Sequence, residues 1–229
     1  MLFSPQILAR SQPRSVGGGG TTDPNWTNVK LLMSFDSNFN DESSAAHGTM
    51  SNNNVVINSV NSVFGNGINF NSTGIANWYT YHADWDISNV PFTMEVRIYM
   101  TTTGTTRMIM IRDNGTNSWT WKVNASNALE FDINGTLVCS GGSLSINTPY
   151  AVCVDFDGSK YRLYVGGSMV GSSTSLVTAS SGSAWLFIGS TNGGSAQFWG
   201  TMDELRFTKA GRYVSDGGYT VATSAFPRS

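Results

Sequence analysis

Residues 92–100 read FTMEVRIYM, and the alternation in that stretch decides the fold class. Phe92, Met94, Val96, Ile98 and Met100 fall on one side of an extended chain, and Thr93, Glu95, Arg97 and Tyr99 on the other. Successive side chains of a strand point to opposite faces, so the pattern predicts a strand with one apolar and one polar face. Downstream, AVCVDF (151–156) and KYRLYV (160–165) flank Asp157-Gly158, while LEFDI (129–133) and TLVC (136–139) flank Asn134-Gly135. Both dipeptides favour the left-handed backbone of tight hairpin turns. Gly166-Gly167 then turns YRLYV into SMVG.

Outward from these hairpins the same grammar holds. Runs rich in Val, Ile, Phe, Trp, Tyr and Thr predict strands at 29–35, 54–58, 67–71, 77–81, 107–112, 118–124, 128–133, 136–140, 149–156, 160–166, 184–189 and 197–207. No stretch of about 11 residues keeps a helical period, so helices are short or absent. Many short antiparallel strands with regular turns predict an all-β sandwich or jelly roll. The 229 residues fit one such domain, since sandwiches reach about 200–250 residues undivided. The first 24 residues differ: Pro5, Pro13 and Pro24 punctuate them, and Gly17 to Gly20 form an uninterrupted hinge. An extended N-terminal arm at 1–24 and a sandwich domain at 25–229 are expected.

Composition excludes several partners. Charged residues make up 12% of the chain, against about 25% in typical soluble domains. Asn, Ser, Thr and Gly must cover the surface instead, which suits an assembly at high local concentration or contact with sugars. A net charge of −2 with no basic stripe gives nucleic-acid binding no electrostatic footing. No apolar run has the length of a membrane span. Pro5 and Arg10 interrupt the opening MLFSPQILAR, so a secretory signal is not expected. Cys139 and Cys153 flank a short polar loop and so can be neighbours. The reading here is two reduced core thiols rather than a disulfide framework.

Five stretches resemble, in order, the laminin-G-like branch of the concanavalin A-like lectin/glucanase superfamily. They are KLLMSFD (30–36), SVFGNGINFNSTG (62–74), PFTMEVRIYM (91–100), YAVCVDFDGSKYRLYVGGSMVGS (150–172) and FWGTMDELRFTKAGRYVSDGGYTVATSAFP (198–227). The last is similar to the ending of such domains in bacteriophage virion proteins. The resemblance implies an antiparallel jelly roll and a structural Ca2+. That ion would be held by oxygens of the first-strand loop and by an acid opening the last strand, here Asp36 and Asp203. Without an ion the same two residues serve as turn and backbone-amide acceptors.

The superfamily also holds glycoside hydrolases, whose retaining members need two carboxyls about 5–5.5 Å apart. Their E-x-D-x-x-E cluster is missing: Glu95 has Arg97 as its same-face neighbour, and Glu130 and Asp132 sit beside a hairpin turn, where a solvated edge is expected. The chain is therefore not expected to be an enzyme. His47 and His82 are the only histidines, lack metal-ligand spacing, and are expected as loop and strand-end surface residues. Trp78, Tyr79, Tyr81 and Trp85 form the densest aromatic segment and are the candidates for stacking on sugar rings; burial in the core is the competing reading.

The function implied is a virion structural protein, a capsid decoration, head-fibre or tail-associated subunit. Residues 1–24 would bind the major capsid protein or other virion proteins, and the sandwich would face outward from the particle. The alternative is an adhesin or receptor-binding protein that takes host-surface glycans, with a glycoside hydrolase third. Neither nucleic acid nor membrane is an expected partner, and a homo-oligomer stays open.

Overall fold

Phe92–Met100 forms one unbroken strand, β5 in chain-order numbering, inside an eight-stranded antiparallel sheet. The structure is a computed structural model that describes residues 22–71, 73, 77–88, 90–113, 115 and 119–229. Across the large sheet run Ser168–Ser173 (β12), Tyr161–Val165 (β11), Pro149–Phe156 (β10), β5, Gly200–Thr208 (β14), Gly67–Phe70 (β3) and Val56–Asn58 (β2). The far edge of β14 is shared: its first half pairs with β3, and its second half with Val29–Met33 (β1). A six-stranded sheet faces it, ordered Trp78–His82 (β4), Ala184–Ile188 (β13), Arg107–Asp113 (β6), Trp119–Val123 (β7), Leu129–Ile133 (β8) and Thr136–Gly141 (β9). The expected all-β antiparallel sandwich is what the chain forms. Among the described residues the only helical turns are the three-residue 3-10 segments Trp26–Asn28 and Ala83–Trp85. No helix among them is long and apolar enough to cross a membrane.

Turn chemistry closes the hairpins as anticipated. Asn134 (φ 50°) and Gly135 (φ 74°) are both left-handed, the combination a two-residue turn needs to match strand twist. The apolar faces of the two sheets meet in one core: Phe92, Met94, Val96 and Ile98 of β5 pack with Trp119, Trp121 and Phe131 opposite. Phe92 and Phe131 lie 5.6 Å apart across the gap. Trp119 and Trp121, which share a strand face in the sequence, are both fully buried.

The polar face of β5 is also buried. Thr93, Glu95 and Arg97 are 0%, 3% and 9% exposed, because the C-terminal tail (209–229) crosses the outer side of the large sheet. Tyr213 donates its hydroxyl to Glu95 Oε2 at 2.8 Å and stacks on Tyr219 at 3.8 Å. The Arg206 guanidinium lies 3.8 Å over the Phe226 ring. Alternation showed which residues share that face but not what covers it.

One boundary of the expected layout needs correction. Asp23, on the arm side of the expected boundary, belongs to the folded unit: it is 3% exposed and its amide donates to the Ser229 carbonyl at 2.7 Å. The arm's remaining residues 1–21 lie outside the described residues. The cysteines are not neighbours. Cys139 faces the inter-sheet core, whereas Cys153 pairs across the large sheet with Glu95 and Tyr164 on the face beneath the tail. Both are free and buried, and burial pushes the Cys139 thiol up to about 12.

Candidate functional site

The aromatic segment lies on β4, the edge strand of the six-stranded sheet, and on the 3-10 turn after it, and divides between inside and outside. Tyr79 is 3% exposed and donates its hydroxyl to the Phe39 carbonyl at 3.3 Å. Trp85 is 0% exposed, with Nε1 donating to the Thr80 carbonyl at 3.1 Å. Neither can reach a sugar, so two of the four expected stacking residues are core. Tyr81 is 59% exposed, and Trp78 is half-buried.

What Trp78 meets on the outer face was not anticipated. It stands opposite Phe187 of β13, and the Trp185 ring lies 6.3 Å from it, tilted by 49°. Trp185, 40% exposed, is nearly coplanar in orientation with Phe187 at 6.4 Å. These three rings and Asn192 line an open cleft of about 430 Å³. That volume falls in the range of small-ligand sites, about 300–1,000 Å³, which combine aromatic walls with a few polar groups. The signal was present in AWLFI (184–188): Trp185 and Phe187 alternate with Ala184, Leu186 and Ile188, which a strand must send inward.

From the cleft a row crosses the outer face of the sheet through Phe187, Ile111, Thr120 and Asp132. At its far end Lys122 sits between two acids, bonded to Asp132 Oδ2 and 3.5 Å from Glu130 Oε2. Asn124 also donates to Glu130 at 2.6 Å. Asp132 is 9% exposed rather than on a solvated edge. Lys122 thus lies between the two carboxyls that a hydrolase reading would require as acid and nucleophile. Glu95 is equally committed: Arg206 donates to its Oε1 from Nε at 2.8 Å and from Nη2 at 2.7 Å.

The two aspartates expected at a cation site are brought together. Asp203 lies where β14 exchanges β3 for β1 as its neighbour, and its Oδ2 accepts the Val63 and Phe64 amides at 2.8 and 2.7 Å. Its Oδ1 is buried with no hydrogen-bond partner. Asp36, just past β1, accepts from the Asn66 amide at 3.3 Å. Gly65, at φ +77°, makes room for it, since a Cβ there would overlap Asp36 Oδ1. Glu204 follows in a left-handed bulge. Burial first, and then the Asp36 charge, push Asp203 up to about 6 against the pull of the Phe64, Val63 and Glu204 amides. Burial likewise pushes Glu204 up to about 7, with Asp203 and Asp36 adding to it against the Phe226 amide and Arg228. Crowded, buried carboxylate oxygens with one unsatisfied atom form a donor set that fits a hard cation such as Ca2+.

Two packed antiparallel sheets make the chain a β-sandwich, and it belongs to the concanavalin A-like lectin/glucanases superfamily. A laminin-G-type family model, described as the concanavalin A-like lectin/glucanases superfamily, matches residues 72–212. No curated protein sequence matches the chain. Among solved structures it is similar to domain 4 of an extracellular GH43 arabinanase from Geobacillus stearothermophilus, in complex with arabinotriose. That likeness has 13% identity, a TM-score of 0.65, and covers 80% of this chain and 93% of that one. It is also similar to Trypanosoma rangeli sialidase in complex with sialic acid, at 12% identity, a TM-score of 0.59, and 81% of this chain but only 31% of the sialidase. A third is the CBM40 of Ruminococcus gnavus IT-sialidase bound to α2,3-sialyllactose, at 10% identity, a TM-score of 0.51, and 66% and 93% coverage. At such identities the likeness is one of fold.

Proposed function

We propose that the chain is a non-catalytic glycan-binding module whose binding site is the Trp78–Trp185 cleft. The observation that carries this reading is a pair of indoles on the outer sheet face, 6.3 Å apart, with Asn192 beside them. Ring faces of this kind stack on the apolar C–H faces of sugars, and an exposed amide supplies hydrogen bonds to hydroxyls. Arabinotriose and α2,3-sialyllactose in two similar folds support it. The test is a glycan array, followed by calorimetry on the best ligand. Trp185→Ala and Trp78→Ala should each weaken binding about tenfold, about 1.4 kcal/mol. Binding that survives both substitutions, or an array with no positive glycan, would overturn the reading.

The setting proposed for this module is the outer surface of a bacteriophage particle. Residues 1–21 would join it to the major capsid protein or another virion protein. The closing stretch 198–227 and the sparsely charged composition support that setting. Asp36 and Asp203, with Glu204 beside them, are the residues that would hold a structural Ca2+. The ion would supply positive charge to buried carboxylates and fasten the loop after β1 to β14.

A further inference from the structure

We propose that His47, His82 and Asp84 form a binding site for a divalent transition metal, Zn2+ foremost. Nothing in their spacing announces it, since 35 residues separate the two histidines. The fold assembles the site by laying the loop after β1 against the end of β4 and the 3-10 turn at Ala83–Trp85. His47 Nε2 lies 3.3 Å from His82 Nδ1 and 3.1 Å from Asp84 Oδ2, and His82 Nδ1 lies 3.4 Å from the same oxygen. A tetrahedral Zn2+ with bonds of about 2.0–2.1 Å has its ligand atoms about 3.3–3.4 Å apart. All three edges of one tetrahedral face are present.

The support behind His47 is an independent observation. Its Nδ1 donates at 2.9 Å to Asp41 Oδ2, and the Asp41 side chain is fully buried. Asp41 also accepts the Leu32, Ser43 and His47 amides and the Ser43 hydroxyl. Five donors hold that carboxylate ionised, so the proton stays on Nδ1 and the Nε2 lone pair turns to the cluster. A carboxylate behind the second nitrogen is the usual device for orienting a metal-binding imidazole and raising its basicity. Packing fixes the ring as well: Trp85 lies 4.5 Å from it, and Tyr79 meets it edge-on at 6.4 Å.

Asp84 is also turned inward. Lys209 takes the opposite oxygen of Asp84, with Nζ 3.9 Å from Oδ1 and 3.1 Å from the Ala83 carbonyl. Oδ2 is left to the histidines. His82 Nδ1 accepts the Asp84 amide at 3.0 Å, so the lone pair a metal would take is held by that amide, beside the cluster, when no metal is bound. Metal binding trades part of that cap for a coordinate bond. Three acceptors facing one another repel unless a cation or a proton lies between them. Imidazole with a single carboxylate selects zinc-like metals over Ca2+, and the charges of Asp84 and Asp41 offset the two of the metal. Three protein ligands leave a fourth position for water. The metal would clasp the loop carrying His47 to β4.

The test uses the full chain, stripped of metal and titrated with ZnCl2 by calorimetry and with CoCl2 by visible absorption. The expected result is one Zn2+ per chain at micromolar affinity or tighter, a tetrahedral Co2+ spectrum, and no competition from excess Ca2+. His82→Asn keeps an acceptor for the Asp84 amide at an exposed position, so it should fold as the parent does. It should lose at least about 100-fold in Zn2+ affinity, since removing only a partner behind a ligand already costs about 10–100-fold. No saturable binding would mean that a proton alone bridges these groups, and equal binding by His82→Asn would mean that the metal sits elsewhere; either result would overturn the proposal.

Discussion

Asp23 receives Arg212 Nη2 at 2.7 Å and Arg206 Nη1 at 3.0 Å, while Arg206 also holds Glu95. Burial opposes ionisation of Asp23, but the Arg212 hydrogen bond, the Asn25 amide and the charges of both arginines outweigh it and hold the carboxyl below its usual range. A depressed carboxyl adds stability above its unfolded pKa of about 4, and that stability is lost as pH falls through the lower folded value. Asp23→Asn should therefore cost about 3 kcal/mol near neutral pH, because it leaves buried guanidinium charge under-compensated. For a chain of this size that is a fall of about 6–12 °C in Tm. The gap between parent and variant should close as the pH is taken below about 4. A variant whose Tm matches the parent at pH 7 would show that this ion cluster is not structural. DELRFTKAGRY was one of the stretches that carried the family resemblance at sequence level; in it Glu204 accepts the Phe226 amide, Arg206 lies over the Phe226 ring and Tyr213 donates to Glu95, and these contacts pin the tail.

At the scale of elements, β14 decides most. Its register against β5 slips between Asp203 and Arg206, where it passes from β3 to β1 on its other edge. The bulge delivers Asp203 and Glu204 to the loop that carries Asp36. If Ca2+ binds there, an ion at about 100 times its Kd adds about 2.7 kcal/mol. EGTA should then lower Tm by about 5–10 °C, and added Ca2+ should restore it. Asp203→Asn should respond to neither. An unchanged melting curve with EGTA would remove calcium from the account. The strand itself was legible in sequence, within three residues of its observed start. Its bulge was not, because where a one-residue slip falls depends on the partner strands on either side.

Over the whole molecule, Asp23 and Ser229 meet, and every strand among the described residues lies between Val29 and Thr208. Deleting residues 1–21 should leave Tm unchanged and abolish capture by purified particles; capture that persists would place the anchor in the sandwich instead. The sequence by itself determined the fold class, the strand positions, the hairpin turns and the pairing of Asp36 with Asp203. These are local periodicities, turn chemistries and a family order, all readable along one chain. Only the tertiary structure decided which aromatics are open, since Tyr79 and Trp85 turn inward while Trp185 comes from a strand about a hundred residues away to face Trp78. It also decided that the polar side of β5 is covered and that His47 meets His82. The physical reason is the same throughout: alternation assigns a side chain to a face, but burial and ligand geometry depend on what packs against that face, and distant segments set that.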